Sequence, residues 1–315
     1  MTDFEIFAED VAFGEGPVAC DDGSVIVAEI RAQQITRLRP NGTRHVIATV
    51  EGAPNGLAFG PDGALYGCNN GGFKWPASKE QQHNVPAGTP DDYENGWIER
   101  IDVSTGRVER LYEECDGLKL AGPNDIVFDE SGGFWFSDRG KDVGTAELHG
   151  GLYYARADGS SIKRVAYGLG LNGVGLSPDG RTVYGALTMS KLVLAFEATS
   201  DGVPTTGHGT IPYRQGRGIL TGRVVGSLPG RQLFDSMAVE ADGTIAQAVV
   251  VEGSGIARIN PATGEYVVIS MPDRLCTNIA FGGSDMRTAF VTLSNTNRVA
   301  RMRWPAPGLR LAFNG

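Results

Sequence analysis

The chain is organised by a recurring pattern of polar, small and apolar positions. Each copy begins with a polar residue, passes through small and apolar residues to a tight turn with glycine, and ends in an apolar or aromatic run. Five copies place the polar residue eight positions before the turn glycine, and they read EGPVACDDGSVIVAE, NGLAFGPDGALYGCN, NDIVFDESGGFWFSD, NGVGLSPDGRTVYGA and DSMAVEADGTIAQAV. A sixth, looser copy reads NIAFGGSDMRTAFVT. A spacing kept so often indicates a tandem structural repeat.

Each copy predicts a β-hairpin, because two alternating runs flank an Asp-Gly or similar turn. A second pair of alternating runs follows the hairpin, as in GWIERIDVSTGRVERLY, GGLYYARADGSSIKRVAY and SGIARINPATGEYVVI. Six units of four strands leave about 52 of the 315 residues for each unit. The pattern therefore predicts an all-β fold, a six-bladed β-propeller forming a single domain over residues 1–315. Seven blades would need about 45 residues each, and only six leading motifs are present.

The leading polar residues carry the first candidate chemistry. In a propeller the first strand of each blade lines the central channel, so equivalent positions meet near the axis. The residues expected to form this ring are Glu15, Asn55, Asn124, Asn172, Asp235 and Asn278. All six offer an oxygen, and converging carboxylates repel one another unless a cation lies between them. The ring therefore predicts a hard divalent cation in the channel, for which carboxylate and amide oxygens are suitable ligands.

A simpler interpretation of the ring is that these side chains only cap turns. Asn and Asp often do so through bonds to nearby backbone groups. We favour this interpretation for Asn55 and Asn278. It is weak for Glu15, because glutamate is a poor turn-former.

Composition narrows the class of protein. The chain holds 45 Gly and 16 Pro, and its formal net charge is −9 with a sequence pI near 5.0. This glycine content argues against a long coiled coil, and the acidic balance argues against a nucleic-acid partner. No stretch approaches the roughly 18 unbroken apolar residues of a membrane helix, so we expect no membrane partner. The amino-terminal residues lack the basic and apolar regions of a signal peptide, so none is expected.

Other catalytic and metal motifs are missing from the sequence. Four cysteines occur far apart and without a C-x-x-C pair, which predicts reduced, mostly buried thiols in a cytoplasmic protein. They are Cys20, Cys68, Cys115 and Cys276. The histidines lack zinc-site spacing, and neither a phosphate-binding G-x-x-x-x-G-K-[ST] loop nor a G-x-S-x-G nucleophile motif is present. The oxygen ring therefore remains the main candidate chemistry.

Several segments resemble those of the senescence marker protein 30/gluconolactonase/luciferin-regenerating-enzyme-like family. They are FGEGPV, GPNDIVF, LNGVGLSPDGRTVY, FDSMAVEADG and TNIAFGGSDMRTAFVT, in the family's order and over nearly the whole chain. The resemblance implies a six-bladed propeller with one divalent metal in the channel, and a lactonase activity on sugar lactones. It implies Glu15, Asn172 and Asp235 as metal ligands, and Asn124 as a ligand or substrate contact. One departure is Phe234-Asp235-Ser236-Met237, where relatives often read P-D-G-M, and this alters the pocket wall.

The loops that return to the ring predict the substrate contacts. The second strand of each hairpin leads back to the ring, so the loop after it lies at the same end. In the second blade this loop spans about 69–96, a lid-like insertion of a length that is often functional. The loop residues expected near the ring are Phe73, Lys74, Trp75 and His83, with Arg139, Lys141 and His149 from the third blade. Among these, Phe73, Trp75 and Arg139 are the predicted substrate contacts, together with Asn124. For any one of the loop residues taken alone, an ordinary surface-loop role is the favoured interpretation, and Phe73 and Trp75 are the stronger candidates.

The predicted function is metal-dependent hydrolysis of a sugar-type or related lactone to its hydroxy acid. The cation polarises the carbonyl, and Asp235 is the candidate general base. Ca²⁺ is the favoured ion, with Mn²⁺, Zn²⁺ or Fe²⁺ as alternatives, and the expected partner is a small-molecule lactone. Three other interpretations stay open: a phosphotriester hydrolase using the same metal site, a non-enzymatic propeller scaffold with a structural calcium, and a strictosidine-synthase-like condensing enzyme. The metal ring counts against the last of these. The sequence leaves the lactone and the oligomeric state open.

Overall fold

The computed structural model describes residues 3–76, 84–198, 210–213, 217–220 and 222–313. Their strands form six four-stranded antiparallel sheets arranged as the blades of a propeller. This confirms the predicted all-β, six-bladed fold. The assignment of residues 1–315 to one domain stays a prediction.

Each blade runs from its innermost strand outwards, in chain order for the first five blades. Blade 1 contains Gly14–Ala19, Val25–Glu29, Gln34–Leu38 and Arg44–Thr49. Blade 2 contains Pro54–Phe59, Leu65–Asn69, Trp97–Ile101 and Val108–Tyr112. Blade 3 contains Pro123–Phe128, Gly133–Asp138, Gly151–Arg156 and Ile162–Tyr167.

Blade 4 contains Leu171–Leu176, Thr182–Leu187, Leu192–Glu197 and Arg223–Ser227. Blade 5 contains Leu233–Val239, Ile245–Val250, Gly255–Ile259 and Tyr266–Ser270. Blade 6 contains Cys276–Gly282, Thr288–Leu293, Arg298–Arg303 and, as its outermost strand, Phe4–Ala8. Smaller elements are the 3₁₀ turn Ile30–Ala32 and the short hairpins Glu114–Cys115 with Leu118–Lys119, Lys141–Val143 with Ala146–Leu148, and Thr210–Tyr213 with Arg217–Leu220.

Strand Phe4–Ala8 closes the circle of blades, because the amino-terminal segment pairs with Arg298–Arg303 near the other end of the chain. The closure carries side-chain contacts as well as backbone pairing. The Phe7 ring packs edge-on against Phe290 with 5.0 Å between centroids. Arg301 Nε donates to Glu5 Oε1 at 2.6 Å.

Every innermost strand contains a break in its pairing register at the level of the ring. The breaks fall between Glu15 and Val18, Pro54 and Leu57, Pro123 and Ile126, Leu171 and Val174, Phe234 and Met237, and Cys276 and Asn278. Such bulges bend a strand and redirect its side chains. They turn the leading polar residues towards the axis. The inner strands also approach closely here, since a Cβ on Gly56 would lie 2.6 Å from the Asp125 Cα.

Further along the same strands the channel becomes apolar. It narrows to a cavity of about 90 Å³ lined by residues such as Val18, Phe128 and Phe281. The carboxy-terminal segment covers this cavity through Leu309 and Phe313. The polar chemistry of the axis is therefore concentrated at the end where the inner strands begin.

All four cysteines are buried and free of disulfides, in agreement with the prediction of buried thiols. Within the described ranges, no helix is both long and apolar enough to cross a membrane. A cytoplasmic location stays a prediction.

Candidate metal and substrate site

Five of the six leading polar residues line one cavity of about 410 Å³ at the beginning of the inner strands. They are Glu15, Asn55, Asn124, Asn172 and Asp235. Each comes from a different blade, and the bulge in its strand turns it towards the axis. All but the half-buried Asp235 are buried. The constant spacing of the repeat therefore correctly predicts five of the residues that meet in this cavity.

The sixth residue, Asn278, differs from the prediction. It lines the smaller apolar cavity, one step deeper along the axis. In four other blades the ring residue directly follows the last paired residue before the bulge, and in blade 6 that position belongs to Thr277. Asn278 Nδ2 donates to Glu15 Oε2 at 3.0 Å, and its Oδ1 accepts the Ile279 N–H at 2.8 Å. Asn278 therefore supports Glu15 and bonds locally, as the turn-capping interpretation expects.

The amide oxygens of the ring fit a bound cation. Asn55 Oδ1 and Asn124 Oδ1 are buried, and neither has a hydrogen-bond partner in the described part of the chain. An unpartnered buried acceptor costs free energy unless a donor or a cation satisfies it. Among the residues with a described position, Asn172 Oδ1 accepts a single long bond, 3.5 Å from Ser236 Oγ. A turn-capping Asn55 would accept a hydrogen bond from a nearby backbone N–H through its Oδ1. Asn55 Oδ1 has no such partner among the described residues, so the structure does not support turn capping at this position.

The two carboxylates of the ring also fit a cation. Burial and the neighbouring Asp235 raise the pKa of Glu15 well above its ordinary value. Burial raises the pKa of Asp235 to about 6, although a bond from Asn172 and the charge of Arg139 act in the opposite direction. Because burial and mutual repulsion disfavour the ionised form of both carboxylates, a cation bound between them would stabilise their charges. No group of three or more His, Cys, Asp or Glu side chains that could hold a metal occurs among residues with a described position, so amide oxygens would have to complete the coordination.

Asp125 is a buried carboxylate beside the ring that the sequence analysis missed. Its Oδ1 accepts the Ile126 N–H at 3.1 Å, and its Oδ2 accepts the Val174 N–H at 3.2 Å. Burial raises its pKa to about 7. Asp125 therefore joins blades 3 and 4 just below the ring. The sequence contains a signal for Asp125. The residues that follow Asn55 and Asn172 at the equivalent position are glycines, so a carboxylate after Asn124 is a departure from the repeat.

The blade 2 insertion contributes to the cavity wall from both of its described parts. Phe73 lines the cavity from the first part, and Pro86 and Thr89 line it from the second. Together with Phe13 and Ile30 they give the cavity an apolar side. The predicted position of Phe73 near the ring is therefore observed.

The other predicted loop residues lie further away. Trp75 is not a lining residue, because it packs edge-on against Phe13, with 5.2 Å between ring centroids. Lys74 is exposed and pairs with Asp91 at 2.6 Å. His149 packs near Tyr167 rather than on the cavity. His83 lies outside the described residues.

Two cations reach the cavity from the loop after the second strand of blade 3. Arg139 lines the cavity and is exposed to solvent. Lys141 is buried, and its Nζ donates to Asn70 O at 2.9 Å, Asn70 Oδ1 at 2.8 Å and Gly72 O at 2.6 Å. The same Nζ lies 4.2 Å from the centroid of the Phe73 ring. Lys141 thereby fastens the start of the insertion to blade 3.

Replacing Lys141 by methionine should destabilise the protein and change its pH response. The substitution takes this donor away from the buried backbone oxygens of Asn70 and Gly72, whereas Asn70 Oδ1 still accepts the Gly72 N–H at 3.1 Å. Burial lowers the pKa of Lys141 to about 7 in the folded protein, far below its value in an unfolded chain. Between about pH 7 and about pH 10 this lysine is protonated in the unfolded state but largely neutral in the folded state. The unfolded state then binds more protons, so Lys141 makes the free energy of unfolding rise with pH.

Between pH 7 and 9 the free energy of unfolding of the wild type should rise by up to roughly 2 kcal/mol more than that of Lys141→Met. Denaturant unfolding of both proteins at the two pH values measures this difference. Lys74→Met is the matched control, because Lys74 lies in the insertion itself but is exposed. An unchanged pH slope in Lys141→Met would contradict the role given to the ammonium group.

Fold and cavity together define a six-bladed propeller with an oxygen-lined pocket on its axis. The chain belongs to the SMP-30/Gluconolactonase/LRE-like family, whose model matches residues 13–295. The family resemblance found in the sequence is thereby confirmed.

Several relatives carry lactonase names. A 6-deoxy-6-sulfogluconolactonase from Pseudomonas putida is 29% identical over 204 residues, which cover 64% of each chain. A lactonase drp35 from Staphylococcus saprophyticus is 39% identical over 154 residues, covering 48% of this chain and 42% of the relative. The chain thus aligns with less than two thirds of the length of these relatives.

Solved structures share the fold. A gluconolactonase from Xanthomonas campestris superposes with a TM-score of 0.70 at 20% identity, covering 95% of this chain and 89% of its own. A calcium-binding protein, regucalcin, from Agrobacterium tumefaciens superposes with a TM-score of 0.68 at 19% identity, covering 99% of this chain and all of its own.

Proposed function

We propose that the protein is a metal-dependent lactonase that hydrolyses a sugar-type or related lactone to its hydroxy acid. The observation that carries the proposal is the ring itself, at the base of a cavity. In it the buried Glu15 and half-buried Asp235 carboxylates face two buried amide oxygens that have no hydrogen-bond partner among the described residues. The lactonase names of the relatives support the reaction class. Ca²⁺ is the proposed ion, because every candidate ligand is an oxygen and a structural neighbour is described as calcium-binding.

Glu15, Asn172 and Asp235 are the residues that would hold the cation, with Asn124 as a further ligand or a substrate contact. A divalent cation bound there would polarise the lactone carbonyl and stabilise the negative charge that develops on its oxygen. Asn278 and the Gly16 N–H both donate to Glu15 Oε2 at 3.0 Å, which fixes that carboxylate.

Asp235 is the proposed general base. Its carboxylate takes a proton from the attacking water as the water oxygen bonds to the carbonyl carbon. The same proton then passes to the ring oxygen as the carbon–oxygen bond of the lactone breaks. Asn172 donates a hydrogen bond to Asp235 and so orients the carboxylate. Phe13 and Phe73 supply an apolar wall that limits water around the reacting ester.

The non-enzymatic scaffold with a structural calcium is the weaker alternative. It predicts a channel filled above the cation, whereas a cavity of about 410 Å³ lies against the ring. A phosphotriester hydrolase would use the same residues, so the substrate panel must include organophosphates.

The test is turnover of a substrate panel by metal-stripped protein with Ca²⁺, Mn²⁺, Zn²⁺ or Fe²⁺ added back. The panel holds sugar, aliphatic and aromatic lactones together with organophosphate triesters. We expect ring opening that depends on the metal, followed as acid release in a pH-indicator assay. Organophosphate turnover without lactone opening would replace the proposal with the phosphotriesterase alternative. No turnover by folded, metal-loaded protein would favour the scaffold.

A further inference from the structure

Arg139 is the positively charged residue of the cavity that is exposed to solvent. Arg139 lines the cavity, and no hydrogen bond or ion pair joins its guanidinium to another residue within the described ranges. Its backbone is held firmly, since the Arg139 N–H donates to Gly122 O at 2.9 Å. The preceding Asp138 carboxylate accepts the N–H groups of Ala121, Gly122 and Gly140 at 2.7 to 2.8 Å. A fixed backbone thus presents a free guanidinium to the cavity.

The second cation of the cavity is already used. Lys141 gives its three N–H groups to carbonyl oxygens of Asn70 and Gly72, so it has no donor left for a ligand. Arg139 keeps its five donors in the planar arrangement that suits carboxylate, sulfonate and phosphate groups. Recognition of an anion at this cavity would therefore fall to Arg139.

The charge of the cavity also favours an anion. Five charged residues line it: Glu15, Asp142, Asp235, Arg139 and Lys141. A divalent cation on Glu15 and Asp235 would balance those two carboxylates. Arg139 and Lys141 then face only Asp142, whose carboxylate forms no ion pair with Arg139 in the described structure. By the charges that line it, the loaded site would thus carry no excess negative charge, and one excess positive charge whenever Lys141 is protonated.

We propose that the substrate is a lactone carrying a negatively charged substituent, and that Arg139 binds this substituent. The inference rests on the proposed lactonase function and specifies its substrate class. Arg139 would act as a specificity-determining residue, because its planar donors can form paired, charge-assisted hydrogen bonds with an anionic substituent that a neutral lactone does not offer.

The experiment compares kcat/KM for a neutral sugar lactone with values for matched lactones bearing a carboxylate, a sulfonate or a phosphate. The holoenzyme is assayed at low and high salt. We expect a preference for at least one anionic lactone of roughly tenfold or more, and a smaller preference at high salt. In Arg139→Gln the ratio of anionic to neutral kcat/KM should fall roughly tenfold or more, mainly through KM.

Arg156→Gln is the matched control, because Arg156 lies in the same blade but bonds to Ser131 at the opposite end of the strands. Arg139→Lys should recover part of the ratio, since it keeps the charge without the planar donors. Equal turnover of neutral and anionic lactones by the wild type would overturn this inference and leave the lactonase proposal intact. An unchanged ratio in Arg139→Gln would overturn the assignment to Arg139. Absence of turnover of every lactone would overturn the lactonase proposal itself.

Discussion

Asp235→Asn should lose lactone turnover by roughly 10²- to 10⁴-fold, because an amide cannot take the proton of the attacking water. The same variant should melt at a higher temperature than the wild type when both are metal-free. The reason is that Asp235 raises the pKa of buried Glu15 by like-charge repulsion, and the substitution removes one of the two charges. Thermal unfolding in chelator and initial rates at saturating metal measure the two effects.

Asp242→Asn is the control for this variant. Asp242 lies in the turn of the same blade 5 hairpin, at its other end, where its carboxylate accepts the Thr244 N–H at 2.9 Å. Its replacement should leave both turnover and the metal-free melting temperature close to those of the wild type. Full activity in Asp235→Asn would remove Asp235 from the role of general base.

Glu15→Gln should weaken the binding of the cation rather than the chemistry. The glutamine keeps an oxygen that can accept from Gly16 and Asn278, but it lacks the charge that attracts a divalent ion. Because site charge tunes calcium affinity, we expect the metal concentration for half-maximal turnover to rise roughly 100-fold. Metal titration of the activity, with calorimetry as the binding measurement, tests this.

The two variants should differ at high metal concentration. Glu15→Gln should recover most of its turnover there, whereas Asp235→Asn should stay inactive. Glu5→Gln is the control, since Glu5 is an exposed partner of Arg301 in the closing strand. Failure of high metal to restore Glu15→Gln would mean that Glu15 takes part in the reaction beyond holding the ion.

The repeat made the fold and most of the ring predictable. Hydrophobic alternation fixes the hairpins, and a constant distance from polar residue to turn glycine places one residue of each blade at the same height on the axis. Asn278 departs from this rule because the bulge of blade 6 ends just before it, between Cys276 and Asn278. Asn278 is therefore paired with Thr292, whereas the leading residues of blades 2 to 5 lie inside the bulge. The looser sixth copy contained no signal for that difference.

The walls of the cavity were less predictable than its base. Arg139 and Phe73 follow from the direction of the strands, but Trp75 lies behind Phe13, because side-chain packing within a long insertion has no sequence periodicity. The role of Lys141 as a fastening group depends on carbonyl oxygens of Asn70 and Gly72, which are far away along the chain. Contacts of this kind are set by the fold and carry no local motif.

The bulged inner strands give the ring a modular origin. Each ring residue is supplied by the inner strand of its own blade, and the bulge that aims it lies in that same strand. A single substitution can therefore exchange one oxygen donor for another while the remaining positions keep their direction. Over evolutionary time such an arrangement allows the affinity for a cation, and the reaction performed beside it, to change one blade at a time without rebuilding the scaffold.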